Sequence, residues 1–153
     1  MVNRQSARMT SAQVKKAMPA LYESASALSA AVRTCGLELE LIELVYLRVS
    51  QINGCAYCID IHAAKLTELG VPASRQILVS AWEEAGIFSE REAAALKWAE
   101  VVTLLSIDHV PDEAWEAVAA VFSHEEIVQL IAAIGVINLW NRIAVSFRYP
   151  PGV

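Results

Sequence analysis

Apolar residues recur at steps of three and four along almost the whole chain, and no β-branched run alternates strictly with polar residues between turn signals. This periodicity predicts an all-α fold: a single-domain helical bundle of about six to seven helices over residues 1–153. A first helix is expected from Ser11 to Arg33, with Val14, Met18, Leu21, Leu28 and Val32 on its buried side and Gly36 at its end. A second runs from about Leu37 to Ile52 and stops at Asn53-Gly54, a pair that readily takes left-handed backbone angles. A third opens at Cys55 and continues to Leu69, before Gly70. Pro72 suits the first turn of a shorter helix through Trp82, closed by Gly86. Ser89 to Glu92 and Ser123 to Glu126 match the capping box, so further helices should start there and reach about Leu105 and Ser146. A short helix from Pro111 to Val121 lies between them.

The chain has 153 residues, enough for one domain with a sizeable core. Its apolar content of 56 % is high and its charged fraction of 19 % low, which points to a membrane or to subunit interfaces. The most apolar stretch, Ile127 to Leu139, is interrupted by Gln129 and flanked by Glu125, Glu126 and Asn141, so no membrane association is expected and a homo-oligomer is. The first residues, Met1 to Arg8, carry basic side chains without an apolar core after them, and a cytoplasmic location is the expectation. A net charge of −5 with no Lys/Arg cluster argues against a nucleic-acid partner.

Candidate chemistry gathers in Cys55-Ala56-Tyr57-Cys58-Ile59-Asp60-Ile61-His62, with Glu43 one helix upstream. Cys55 and Cys58 are three apart and Cys58 and His62 four apart, which places them on one helix face. Cysteines in a helix's first turn face unpaired N–H groups and the positive end of the dipole, which favours the thiolate. Cys55 gains most from the dipole, and Cys58 can pass its proton to His62, so Cys58 is assigned as nucleophile and His62 as general base. Attack on a peroxide would give a sulfenic acid that Cys55 resolves as a disulfide. Glu43, in an apolar run, would orient His62 or relay protons, with burial expected to raise its pKa.

The rival reading is a non-catalytic helical protein, held by a structural zinc on Cys55, Cys58, His62 and Glu43 or serving a stress-related interaction. His109 and His124 read as surface residues and Cys35 as a packing residue. No glycine fingerprint lies between a strand and a helix, so no flavin or nicotinamide site is expected and no cofactor is assigned.

Glutamate, a C-x-x-C twelve residues on and a histidine four beyond it are together a specific motif. The chain resembles the alkylhydroperoxidase D-like group of the carboxymuconolactone decarboxylase superfamily. Glu43, Cys55, Cys58 and His62 fill all four positions of the motif core 43–62, and Leu47, Asn53 and Tyr57 also look typical. Trp98-Ala99-Glu100 and Asn138-Leu139-Trp140-Asn141-Arg142 extend the similarity over most of residues 15–148. The resemblance implies an all-helical trimer or hexamer and thiol peroxidase chemistry acting on hydroperoxides, with Cys58 peroxidatic, Cys55 resolving, and Glu43 and His62 as proton relay. It further implies a dihydrolipoyl reductant, although a thioredoxin-like thiol would satisfy the same chemistry. The best-known peroxidase member carries a second histidine between the cysteines, where this chain has Tyr57. The decarboxylase branch lacks the cysteine pair, and decarboxylation is not expected here.

Overall fold

Residues 41–47 are apolar on every side except at Glu43, and a helix of that kind has to be surrounded by others. That is where the structure puts it. The structure is a computed structural model that describes residues 6–152, so residues 1–5, weighed above for a secretory signal, lie outside it. The elements are α1 (Ser11–Ala17), α2 (Pro19–Arg33), α3 (Leu39–Ile52), α4 (Ala56–Glu68), α5 (Ala73–Leu78), α6 (Trp82–Ala85), α7 (Glu90–Thr103), α8 (Leu105–Asp108), α9 (Asp112–Val121) and α10 (His124–Phe147). A 3-10 turn, Val79–Ala81, joins α5 to α6, and the described residues contain no strand. The all-α fold expected from the periodicity is therefore the fold observed.

Helix α3 runs through the middle and packs on α4, α7 and α10. Its Ile42, Leu44, Val45 and Val49 are wholly buried, as are Leu96 of α7 and Leu130 and Ile134 of α10. Each such side chain contributes roughly 1.5–3 kcal/mol by leaving water. Ion pairs fasten the rim: Arg75 bridges Glu40 and Glu92, and Arg91 bridges Glu38 and Glu126. Both capping boxes form, with Ser89 and Ser123 accepting from the amides of Glu92 and Glu126.

The elements are shorter and more numerous than six or seven. The expected first helix breaks at Met18 (φ −145°, ψ 80°), because Pro19 lacks an N–H and its ring crowds the preceding residue out of helical angles. The break turns α2 so that Val14, Ala25 and Val32 are buried while Met18 and Leu28 stay exposed, against expectation. Pro72 is the N-cap of α5 rather than its first residue, with its carbonyl accepting from Arg75 and Gln76. Helix α7 stops at Thr103, and the expected stretch to Leu105 passes into the separate turn α8.

Helix α10 has the length and apolar composition to cross a bilayer, with a mean hydropathy of 1.6 in its most apolar window. Here it is a core helix. Leu130, Ala133, Ile134 and Ile137 face α3 and its neighbours, and Gln129, Asn138 and Asn141 bond to other parts of the fold.

Candidate active site

The turn between α3 and α4 sets the site. Gly54 takes the left-handed angle (φ +63°) that ends α3, and Cys55 follows as N-cap of α4, its N–H donating to the Ser50 carbonyl at 2.9 Å. Of the Asn53-Gly54 pair only the glycine is left-handed, since Asn53 stays helical. The Asn53 side chain instead donates to Asn138 and to Asn141 of α10, both at 2.9 Å, and so pins the turn to the core helix.

Glu43 is fully buried at the centre of this arrangement. One carboxylate oxygen accepts from His62 Nδ1 at 2.7 Å and the other from the Arg33 guanidinium at the end of α2. Burial pushes the carboxyl pKa up, but the His62 and Arg33 bonds outweigh it and hold Glu43 below its ordinary value. The sequence correctly points to burial, yet the shift runs opposite to the expected one. An ionised Glu43 can only accept, so His62 donates from Nδ1, and in the neutral imidazole that tautomer has its free lone pair on Nε2. The Tyr46 ring meets the imidazole edge-on, with centroids 4.9 Å apart, and fixes its plane.

Both motif thiols are free and buried. The neighbouring Cys58 thiol, the amides of Cys58 and Tyr57 and the Asn141 side chain favour the Cys55 thiolate, outweigh its burial and lower its pKa to about 7. Cys58 moves the other way. The Cys55 sulfur beside it, its burial and the Cys55 charge all push its pKa up, and Asn141 offsets them only in part. The two thiols therefore titrate as one coupled pair at the head of α4, with the first proton leaving the pair at about 7.

Asn141 is only 1 % exposed, and its orientation is not free. Its carbonyl oxygen accepts from Asn53, which turns its NH₂ group toward Ser50 (3.1 Å) and the thiols.

A cavity of 480 Å³ opens onto Cys58 and His62, but neither Cys55 nor Glu43 lines it. Tyrosine and tryptophan rings form part of its wall, and the C-terminal segment closes one side. Tyr149 meets Tyr57 edge-on with centroids 5.5 Å apart, and its hydroxyl lies 2.8 Å from that of Tyr22. Beyond it the N–H of Gly152 donates to Asp60 of α4.

Glu43, Cys55, Cys58 and His62 thus come together as the spacing predicts. Among the described residues no group of three or more His, Cys, Asp or Glu is placed to hold a metal ion, and both Glu43 oxygens are taken by Arg33 and His62, so the zinc set does not assemble. His109 and His124 are exposed, and Cys35 packs at the edge of the core. The sequence reading missed Arg33, Tyr46 and Asn141. Asn141 lies in the segment singled out for its resemblance, but nothing local to Arg33 or Tyr46 marks either of them as part of a site.

With this geometry described, comparison with known proteins identifies the class. The profile of the carboxymuconolactone decarboxylase family matches residues 19–101, and the chain belongs to that family as an alkylhydroperoxidase D-like member. It is 40 % identical over 104 residues to the uncharacterized protein YdfG of Bacillus subtilis (strain 168), covering 68 % of this chain and 71 % of YdfG. A crystal structure from Agrobacterium tumefaciens, of a protein of unknown function provisionally called antioxidant defence protein AhpD, superposes with a TM-score of 0.91 at 40 % identity, covering 97 % of this chain and 99 % of that one. The debrominase Bmp8 shares the fold at 20 % identity, with a TM-score of 0.82 and coverage of 92 % of this chain and 76 % of its own.

Proposed function

We propose that the protein is a cofactor-free thiol peroxidase or disulfide reductase that reduces organic hydroperoxides through Cys58 and Cys55. The observation that carries this reading is the placement of Cys58 and His62 on one cavity, with the His62 tautomer set by a buried, ionised Glu43. Cys58 gives its proton to His62 Nε2 and attacks the distal oxygen of the peroxide. The O–O bond breaks, the alkoxide takes the proton from the imidazolium and leaves as alcohol, and Cys58 is oxidised to the sulfenic acid. The Cys55 thiolate then attacks the Cys58 sulfur, hydroxide leaves and takes a proton from solvent to become water, and the disulfide forms. Two electrons and two protons from an external dithiol, dihydrolipoyl or thioredoxin-like, restore the pair. Glu43 acts as the fixed acceptor that orients His62.

Assembly as a homo-oligomer, a trimer or hexamer, belongs to the same reading. Met18, Leu28, Ile77, Ile107, Val128 and Ile131 are exposed apolar side chains of the kind subunit contacts cover. A cytoplasmic setting would keep the unpaired thiols reduced.

Peptide mass spectrometry after one equivalent of hydroperoxide tests the chemistry. The expected product is a Cys55–Cys58 disulfide with Cys35 untouched; Cys58→Ser should show no oxidation, and Cys55→Ser should stop at a sulfenic acid on Cys58. Undiminished turnover in Cys58→Ser would overturn the assignment.

A further inference from the structure

Aromatic rings form part of the cavity's wall, and its ionisable lining is one-sided. Tyr22, Tyr46, Tyr57, Trp140 and Tyr149 contribute rings, while the ionisable lining residues besides the tyrosines, Cys58 and His62 are Arg33 and Lys65. Among the described residues no carboxylate lines it, because Glu43 is sealed behind Arg33 and His62. Arg33 shares that carboxylate with the imidazole, whereas Lys65 has no ion pair among the described residues. Among the described residues one positive charge is therefore left without a counter-ion in a partly apolar recess, where Coulomb attraction is stronger than in water.

The position of Lys65 adds a length. Cys58, Ile61, His62 and Lys65 follow one another at steps of three, one and three on α4, and all four line the cavity. Seven residues of helix rise roughly 10 Å, and a long helical side chain leans back toward the N-terminus, so an extended Lys65 can bring its ammonium to roughly 6–10 Å from the Cys58 sulfur. That is the span of one substituted benzene ring. A volume of 480 Å³ falls within the range of small-molecule sites and suits such a body.

We infer that the cavity selects an organic hydroperoxide whose aromatic or unsaturated body ends in a carboxylate, with the carboxylate on Lys65 and the peroxide on Cys58. This rests on the peroxidase reading above and specifies its substrate class. Edge-to-face contacts with Tyr57, Tyr149 and Trp140 hold the ring, and the charge at the far end fixes which way the molecule enters. Lys65 is thus a specificity residue, seven positions beyond the nucleophile and outside the cysteine motif.

The test compares cumene hydroperoxide with its para-carboxylate in single-turnover oxidation of the reduced protein, followed by intrinsic fluorescence. The expected result is a rate constant about tenfold higher for the carboxylate, a preference that shrinks with added salt, is lost in Lys65→Met and is regained in Lys65→Arg. A second arm reads binding without redox chemistry, by titrating benzoate into Cys58→Ser with and without Lys65→Met. Wild type oxidised equally fast by both peroxides, with benzoate binding indifferent to Lys65, would overturn the inference and leave the peroxidase reading standing. Wild type resistant to every peroxide, yet binding benzoate only when Lys65 is present, would remove the peroxidase reading and keep the anion site.

Discussion

Glu43→Gln tests the centre of the site most directly, because the substitution keeps volume and removes charge. Glu43 is fully buried and accepts one bond from a guanidinium and one from His62. Glutamine retains one acceptor, so one of the two donors is left facing an NH₂ group. A hydrogen bond to a charged group contributes about 1.5–3 kcal/mol, and the orphaned donor adds a desolvation cost, so a loss of about 3 kcal/mol is expected. For a chain of this size that lowers Tm by roughly 6–12 °C. If the NH₂ faces His62, it forces Nδ1 to accept and moves the proton to Nε2, which removes the lone pair that takes the Cys58 proton. Loss of a general base slows the chemical step by about 100-fold or more. Calorimetry and stopped-flow single-turnover oxidation measure the two effects separately. A fall in Tm with the oxidation rate unchanged would refute the tautomer argument, and no fall in Tm would refute the buried pairing itself.

The same carboxylate sets an acid limb. Its pKa is lower in the folded protein than in the unfolded chain, so the stability it supplies is full above the unfolded value near 4.5 and is lost as pH falls through the folded one. Urea unfolding between pH 6 and 3 should show a shallower loss in Glu43→Gln than in wild type. Thiolate absorbance at 240 nm should titrate with a midpoint of about 7, appearing as pH rises. In Asn141→Ala that midpoint should rise by roughly one unit toward the free-cysteine value, since one donor to the sulfur is gone. Ser123→Ala removes the N-cap of α10 and should cost about 1 kcal/mol in denaturant unfolding without altering the thiol titration.

What the sequence revealed depended on how local the cause was. The capping boxes at Ser89 and Ser123 involve partners three residues apart, and both were legible from spacing alone. The grouping of Cys55, Cys58 and His62 was legible for the same reason, because each is about one helical turn from the next. The break at Met18 was missed because the apolar repeat continues across Pro19, and periodicity does not register a clash between one ring and the residue before it. Arg33 escaped notice because an arginine at the end of an amphipathic helix looks solvated, and only the packing of α2 on the site brings it to Glu43. The direction of the Glu43 shift had the same origin. Burial can be read from an apolar run, whereas the cation that outweighs burial comes from a different element. Asn141 acts from the far end of the chain, 86 positions after Cys55 (141 − 55), and its donor role depends on Asn53 holding its other end.

The placement of Cys55 at the head of α4 bears on electron flow as well as on nucleophilicity. The amides of Tyr57 and Cys58 and the side chain of Asn141 hold a negative charge that exists only while the pair is a dithiol. Closing the disulfide discharges that sulfur and idles those donors. Every contact that favours the thiolate therefore favours reduction, and a bias of 1.4 kcal/mol moves a two-electron couple by about 30 mV toward a stronger oxidant. In the proposed cycle the N-terminus of one helix would thus tilt the couple toward its armed form, and a mild dithiol would be sufficient to reset it.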